Sequence, residues 1–239
     1  MRNAGIEKDF DGMISAPVNA RFGTRTWLRN AVLAAAVLVL AMTASAMAGD
    51  IIDDWATVKA PPVPELKAVT LDPSTTALLI LDMDKMGSCA GRPRCGDTIP
   101  NVTRLYNAAR AAGAMLWYSL PGKDATPADV YAGFQPREGE YEHKAGPNKF
   151  LDSNLDEKLK AHGIKTVIVC GTSFQGVGIG TGTEAAQRGY KVIIPVDCLS
   201  SEDPYMEQYS AWHFAKGGPG VDTRNSTLTR STMVKFAAK

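Results

Sequence analysis

A β-branched apolar run that breaks at glycine and resumes as a helix admits few folds, and residues 166–190 have this form. Thr166-Val-Ile-Val-Cys170 carries no polar alternation, the pattern of a strand buried on both faces. Gly171 breaks it, and a glycine-rich turn follows with glycines at 176, 178, 180 and 182. Thr183-Glu-Ala-Ala-Gln-Arg188 then reads as a helix stopped by Gly189. A strand, a tight turn and a helix N-terminus bring several backbone N–H groups to one place, where an anion or a developing oxyanion is stabilised.

The rest of the chain repeats the alternation. Thr76-Ala-Leu-Leu-Ile-Leu81 is an apolar first strand that runs into Asp82-Met-Asp84. Residues 99–112 are expected as a helix, with Val102, Leu105 and Tyr106 on one face and Gly113 at its end. Ala114-Met-Leu-Trp-Tyr-Ser119 reads as a strand, and 121–141 as a long irregular segment whose Tyr131 and Phe134 are candidates to face a substrate. Ser153 caps a helix through His162, Lys191–Asp197 is a strand distorted by Pro195, Ser201 opens a helix through Lys216, and 226–230 is a last short strand. Strands and helices alternating without an internal repeat predict a doubly wound α/β domain, its mainly parallel sheet covered by helices on both faces.

The N-terminus reads differently. Arg21, Arg25 and Arg29 precede an apolar run from Ala31 to Met42 and a small-residue stretch ending Ala46-Met-Ala48. This is the layout of a signal peptide, residues 1–48 (its start at Met1 or Met13), with cleavage after Ala48. The run falls short of the roughly 20 apolar residues that span a bilayer. An exported protein, periplasmic or secreted and with no stable membrane anchor after cleavage, is therefore expected; an uncleaved signal anchor is the competing reading. A Pro-rich arm over 49–72 leads to the domain at 73–239. With 26 Lys+Arg against 25 Asp+Glu there is no basic field to recruit nucleic acid.

Export bears on the cysteines. Cys89 and Cys95 flank five residues of a Gly/Pro/Arg loop, and in an oxidising compartment they are expected to pair locally. Zinc is disfavoured there, since the loop offers neither a second close Cys pair nor a His. Cys170 and Cys198 end apolar strands and read as buried free thiols. Of the three histidines, 143, 162 and 213, none has a second His or acid at metal-ligand spacing, so no metal and no cofactor are expected. The glycine run has Val177-Gly178 where a P-loop needs Lys and Ser/Thr, and its strict alternation misses the dinucleotide fingerprint.

An acid ending a buried strand is unusual, because ligands of parallel sheets bind at the carboxyl ends of the strands. Asp82 is thus either a functional acid or a turn cap, and Asp84 reads as a cap. In order, Ala77-Leu-Leu-Ile-Leu-Asp82, Lys144 six residues ahead of Phe150 and followed by Leu155, the 166–190 stretch, and Val192 to Ser200 resemble the isochorismatase-like superfamily of cysteine hydrolases. The resemblance implies a hydrolase of small molecules that tends to form homo-oligomers, with Asp82 as acid/base and Lys144 as supporting cation. Lys144 otherwise reads as a surface lysine. The resemblance also implies that Thr172, Ser173, Phe174, Gln175 and Gly176 line a substrate or oxyanion turn. Turn packing is the competing reading for Phe174 and Gln175. The position of the nucleophilic cysteine falls on Val177, which can neither attack nor be deprotonated.

Three readings follow: an Asp82-driven hydrolase of a vinyl ether, amide or related bond that needs no thiol; a catalytically inactive binding or scaffold protein whose glycines widen the pocket for a bulky ligand; and a nucleophile displaced to Cys170, Cys198 or Cys89.

Overall fold

The computed structural model describes residues 49–217, 221 and 224–238. The expected signal segment and its cleavage point lie outside the described residues. The chain divides into two units at residue 60, and the described part of the first, residues 49–60, is a succession of turns in which Ile51, Ile52, Trp55 and Val58 are exposed. Everything from Pro61 onward is the second unit.

That unit is an all-parallel α/β sheet. Its strands are β2 (Thr76–Leu81), β3 (Met115–Leu120), β4 (Tyr141–His143), β5 (Thr166–Thr172), β6 (Lys191–Pro195), β7 (Leu199–Ser200) and β8 (Ser226–Thr229). They lie in the order β4-β3-β2-β5-β6-β8, with β7 beside the end of β5. Val69–Leu71 (β1) pairs in parallel with Val234–Phe236 (β9) as a separate two-stranded ribbon. The expected arm over 49–72 therefore ends in ordered structure: Leu66 packs on the core and β1 is a strand.

Alternation along β2 sorts the core into two layers. Ala77, Leu79 and Leu81 join residues of α2 (Leu155–Ala161), α3 (Ile179–Gln187) and α4 (Pro204–Lys216). Leu78 and Ile80 point the other way, onto Cys95, Val102, Leu105 and Ala109 of α1 (Pro93–Ala112). Helices thus cover both faces, as expected of strands that read as unbroken apolar runs. The α1 helix begins six residues earlier than its apolar periodicity predicts, because Pro93 is accommodated at its first turn. The α4 helix begins at Pro204, with Asp203 rather than Ser201 as its cap: the Asp203 carboxylate accepts from Tyr205 N at 2.7 Å.

The order reverses between β2 and β5. From β2 the chain builds outward through β3 and β4, and from β5 outward through β6 and β8. The carboxyl ends of these two central strands flank the switch point at which open parallel sheets bind ligands. They approach closely. A Cβ on Gly171 would sit 2.1 Å from the Leu81 carbonyl oxygen, and Gly171 has φ +139°, so only glycine fits.

Candidate active site

Asp82 stands at that switch point, directly after β2, with φ 56°. A non-glycine residue in the left-handed region is held there by its surroundings. Ser119, the last polar residue of otherwise apolar β3, supplies them. Asp82 N donates to the Ser119 carbonyl and to its Oγ, both at 3.2 Å, and Ser119 Oγ donates to Asp82 Oδ1 at 2.6 Å. The second carboxylate oxygen accepts from Lys149 Nζ at 2.8 Å. Burial raises the Asp82 pKa above the ordinary carboxylate value, and the nearby Asp84 adds to this. The Lys149 ammonium and Ser119 hydroxyl oppose the shift without cancelling it. Burial likewise lowers the pKa of Lys149, whose side chain has no exposed surface.

Lys149, and not Lys144, is therefore the cation at Asp82. Lys144 sits at the end of edge strand β4, its N–H bonded to Leu120 O at 2.9 Å and its side chain only half-buried. It contributes its carbonyl oxygen, 2.9 Å from Lys149 Nζ. Past it the loop turns at Gly146 (φ +84°) and returns inward, so Lys149 points to the sheet. The returning loop is held by α3: Thr181 Oγ1 donates to Pro147 O at 3.0 Å and accepts from Lys149 N at 3.2 Å. Gly180 permits this, since a Cβ there would lie 2.7 Å from Pro147 O.

The turn after β5 is a single π-helical turn, Phe174–Gly178, following a cis Thr172–Ser173 peptide. The Ser173 carbonyl accepts from Gly176 N at 3.1 Å and Gly178 N at 3.2 Å, so these two amides serve the turn rather than a ligand. Thr172 is buried, its hydroxyl directed to Ser200 O. Phe174 does not line a site. It lies in the core, stacked on Phe214 with ring centroids 6.2 Å apart. Phe134, in the 121–141 segment, is likewise fully buried, with Tyr131 packed against its layer. Val177 is 5% exposed and packs with the same apolar layer as Phe174 and Leu199.

Nor do the glycines open a wide cavity. The space beside Gly178 is taken by Phe174 and Leu199, beside Gly180 by Pro147, and beside Gly182 by Phe214. The displaced-nucleophile reading fails as well: Cys170 and Cys198 are fully buried, with burial raising the Cys198 pKa, and Cys89 is in a disulfide.

Cys89 and Cys95 form that disulfide, and Cys95 Sγ lies 3.6 Å from Met83 Sδ, one residue past Asp82. Arg94 on the same loop makes a bidentate pair with Glu207 of α4 (2.8 and 2.6 Å). Glu207 accepts from Ser201 N, and Ser201 Oγ donates to Gln175 Oε1. The loop is thereby joined to the turn that carries Gln175. Closing so short a loop is worth about 2 kcal/mol in chain entropy. Replacing both cysteines by serine is expected to lower the melting temperature by roughly 4–8 °C in calorimetry; an unchanged melt would contradict this. Asp84 proves to be a cap, its carboxylate accepting from the amides of Met86, Gly87 and Ser88.

Ser119 and Lys149 are the two site residues that sequence reasoning misses. A lone serine at the carboxyl end of an apolar strand is a usable signal for the first. Two lysines in one loop leave the second undecided until the fold is known.

Known proteins share this fold. The isochorismatase domain family matches residues 76–225. An N-carbamoylsarcosine amidase of Arthrobacter is 27% identical over 157 residues, covering 54% of this chain and 60% of its own. A secreted isochorismatase effector of Verticillium dahliae is 29% identical over 114 residues, 44% of this chain and 60% of its own. The chain thus spans about 60% of the length of these two relatives. Among solved structures, an isochorismatase family protein from Desulfovibrio vulgaris superposes with TM-score 0.57 at 23% identity, covering 66% of this chain and 95% of its own. The N-carbamoylsarcosine amidase of Thermoplasma acidophilum gives 0.55 at 21% identity, covering 66% and 96%. With the family match over most of the α/β unit and the same fold in both structures, the chain belongs to the isochorismatase family.

Proposed function

We propose that the protein is an exported hydrolase of small molecules that uses Asp82 as its acid/base and water as its nucleophile, with no thiol step. The observation that carries this reading is a carboxylic acid of raised pKa, bound by Ser119 and Lys149, at the sheet's switch point beside a turn whose Val177 has no chemistry. An acid so placed suits a vinyl ether, the bond cleaved in isochorismate. Asp82 gives its proton to the terminal alkene carbon, and the cation that forms is stabilised by the ether oxygen. Water adds to that cation and returns a proton to Asp82. The hemiketal then breaks its C–O bond, releasing the alcohol and a ketone. Lys149 pairs with the carboxylate while its proton is away, which is the state that burial alone would penalise. Amide hydrolysis, the activity named for the N-carbamoylsarcosine amidases, ordinarily proceeds through a nucleophile, and Val177 supplies none. The secreted relative in Verticillium dahliae supports export.

The test is a panel of vinyl-ether and amide substrates, isochorismate among them, assayed before and after iodoacetamide treatment of the native protein. Turnover confined to the vinyl-ether arm and indifferent to alkylation is expected. Alkylation that stops turnover would sink the thiol-free reading. Silence across the whole panel would favour a binding protein on the same fold.

A further inference from the structure

The cations at the 144–150 loop outnumber the carboxylates free to pair with them. Asp82 pairs with Lys149, Glu142 with Lys158 and Glu184 with Arg188. Asp84 is turned to the amides of Met86, Gly87 and Ser88. No carboxylate among the described residues pairs with Lys144, although its side chain is half-buried.

Lys144 is nonetheless close to the acid. Its carbonyl oxygen is 2.9 Å from Lys149 Nζ, which is itself 2.8 Å from Asp82 Oδ2. Along β4, Tyr141 and His143 share one face, their rings 6.0 Å apart, while Glu142 on the other accepts from Trp117 Nε1. The Lys144 N–H continues the ladder to Leu120 O, so alternation puts its side chain on the Glu142 face. That is the face of the apolar layer that holds Trp117, Phe174 and Val177. The Lys144 charge also adds to the burial that lowers the Lys149 pKa, as a second cation in the same place does.

The working state of the acid sharpens the imbalance. With its proton on, Asp82 no longer neutralises Lys149, and two ammonium groups share the site without an anion between them. Partly desolvated cations are costly until a counter-charge arrives, and a site of one sign draws in the other. We propose that the substrate is an anion, a vinyl ether bearing a carboxylate, and that Lys144 is the specificity-determining residue that binds this carboxylate. The inference rests on Asp82 as the acid. It gives the two lysines separate tasks: Lys149 serves the acid and Lys144 serves the substrate. A flexible ammonium with three donors suits the second task. A neutral substrate would leave the imbalance in place.

Binding of 2-methoxyacrylate and of its methyl ester to the full chain, measured by isothermal titration calorimetry, tests this. The wild type is expected to bind the acid about 10- to 100-fold more tightly than the ester, the usual worth of a charge-assisted contact. Lys144→Met should bring acid and ester to similar affinity while melting within a few degrees of the wild type. Lys144→Arg should keep most of the preference. A wild type that binds acid and ester alike, or binds neither, overturns the proposal. So does a preference that survives Lys144→Met, which would place the carboxylate on another group. Turnover of the acid to pyruvate and methanol is read separately. Turnover with no preference for the acid removes the carboxylate site and leaves Asp82 as the acid; Lys144-dependent binding of the acid without turnover does the reverse.

Discussion

Asp82→Asn is expected to lower kcat for vinyl-ether turnover by roughly 10²–10⁴-fold, the usual contribution of a positioned general acid. Asparagine keeps the volume but has one carbonyl oxygen in place of the two oxygens that accept from Ser119 Oγ and Lys149 Nζ, so a melt and circular dichroism spectrum matching the wild type are what separate lost proton transfer from a collapsed site. Val177→Ala should leave kcat close to wild type, because a packed methyl pair in the turn does no chemistry. The pH profile adds a second readout. Asp82 must hold its proton to donate it, and burial has raised its folded pKa above 3.8. The rate should therefore be highest at acid pH and fall as pH rises through that raised value, with the limb absent in the asparagine variant. Equal tolerance of both substitutions, or a rate that climbs with pH, would contradict Asp82 as the acid.

How far the sequence foretells this site depends on what each residue's signal is made of. Asp82 is legible because a charge at the end of an apolar six-residue run violates the pattern of its strand. The central strands and the glycine turn are legible for the same reason: local composition alone specifies them. Lys149 is not. Lys144 and Lys149 have the same chemistry five residues apart, and the choice between them is made by Gly146, by Thr181 on another helix and by the edge pairing of Lys144 with Leu120. The short strands β1, β4 and β9, three residues each, carry too little periodicity to announce themselves, and their partners supply most of their definition. Phe134 and Phe174 mislead in the opposite direction. An aromatic residue in an irregular segment or a turn suggests a lining role, yet both segments fold back so that the rings complete the two apolar layers. The glycines from 176 to 182 mislead likewise, since each empty Cβ position is claimed by a neighbouring group, Ser173 Oγ beside Gly176 included.

Lys149→Met is expected to cost about 3–5 kcal/mol of stability, because it strands a buried carboxylate without its cation. Lys144→Met should cost less than about 1 kcal/mol, as for a half-exposed side chain bonded only through its backbone. In a chain of this size the first change lowers the melting temperature by roughly 6–20 °C and the second by a few degrees at most. The sign with pH is also set. Lys149 is what lowers the Asp82 pKa, and burial is what raises it, so the methionine variant leaves burial unopposed by that charge. Its folded-state pKa then lies further above the unfolded value of 3.8. Between those two values the folded state holds the proton more tightly than the unfolded state, so stability falls as pH rises across the window and returns as pH falls. The gap between Lys149→Met and wild type should accordingly narrow toward acid pH in denaturant titrations. The double variant Asp82→Asn/Lys149→Met should recover part of the loss at neutral pH, since no unpaired charge remains. Equal losses for the two lysine variants, or a Lys149→Met deficit that does not change with pH, would mean that the Asp82–Lys149 pair is not the buried electrostatic contact at this site.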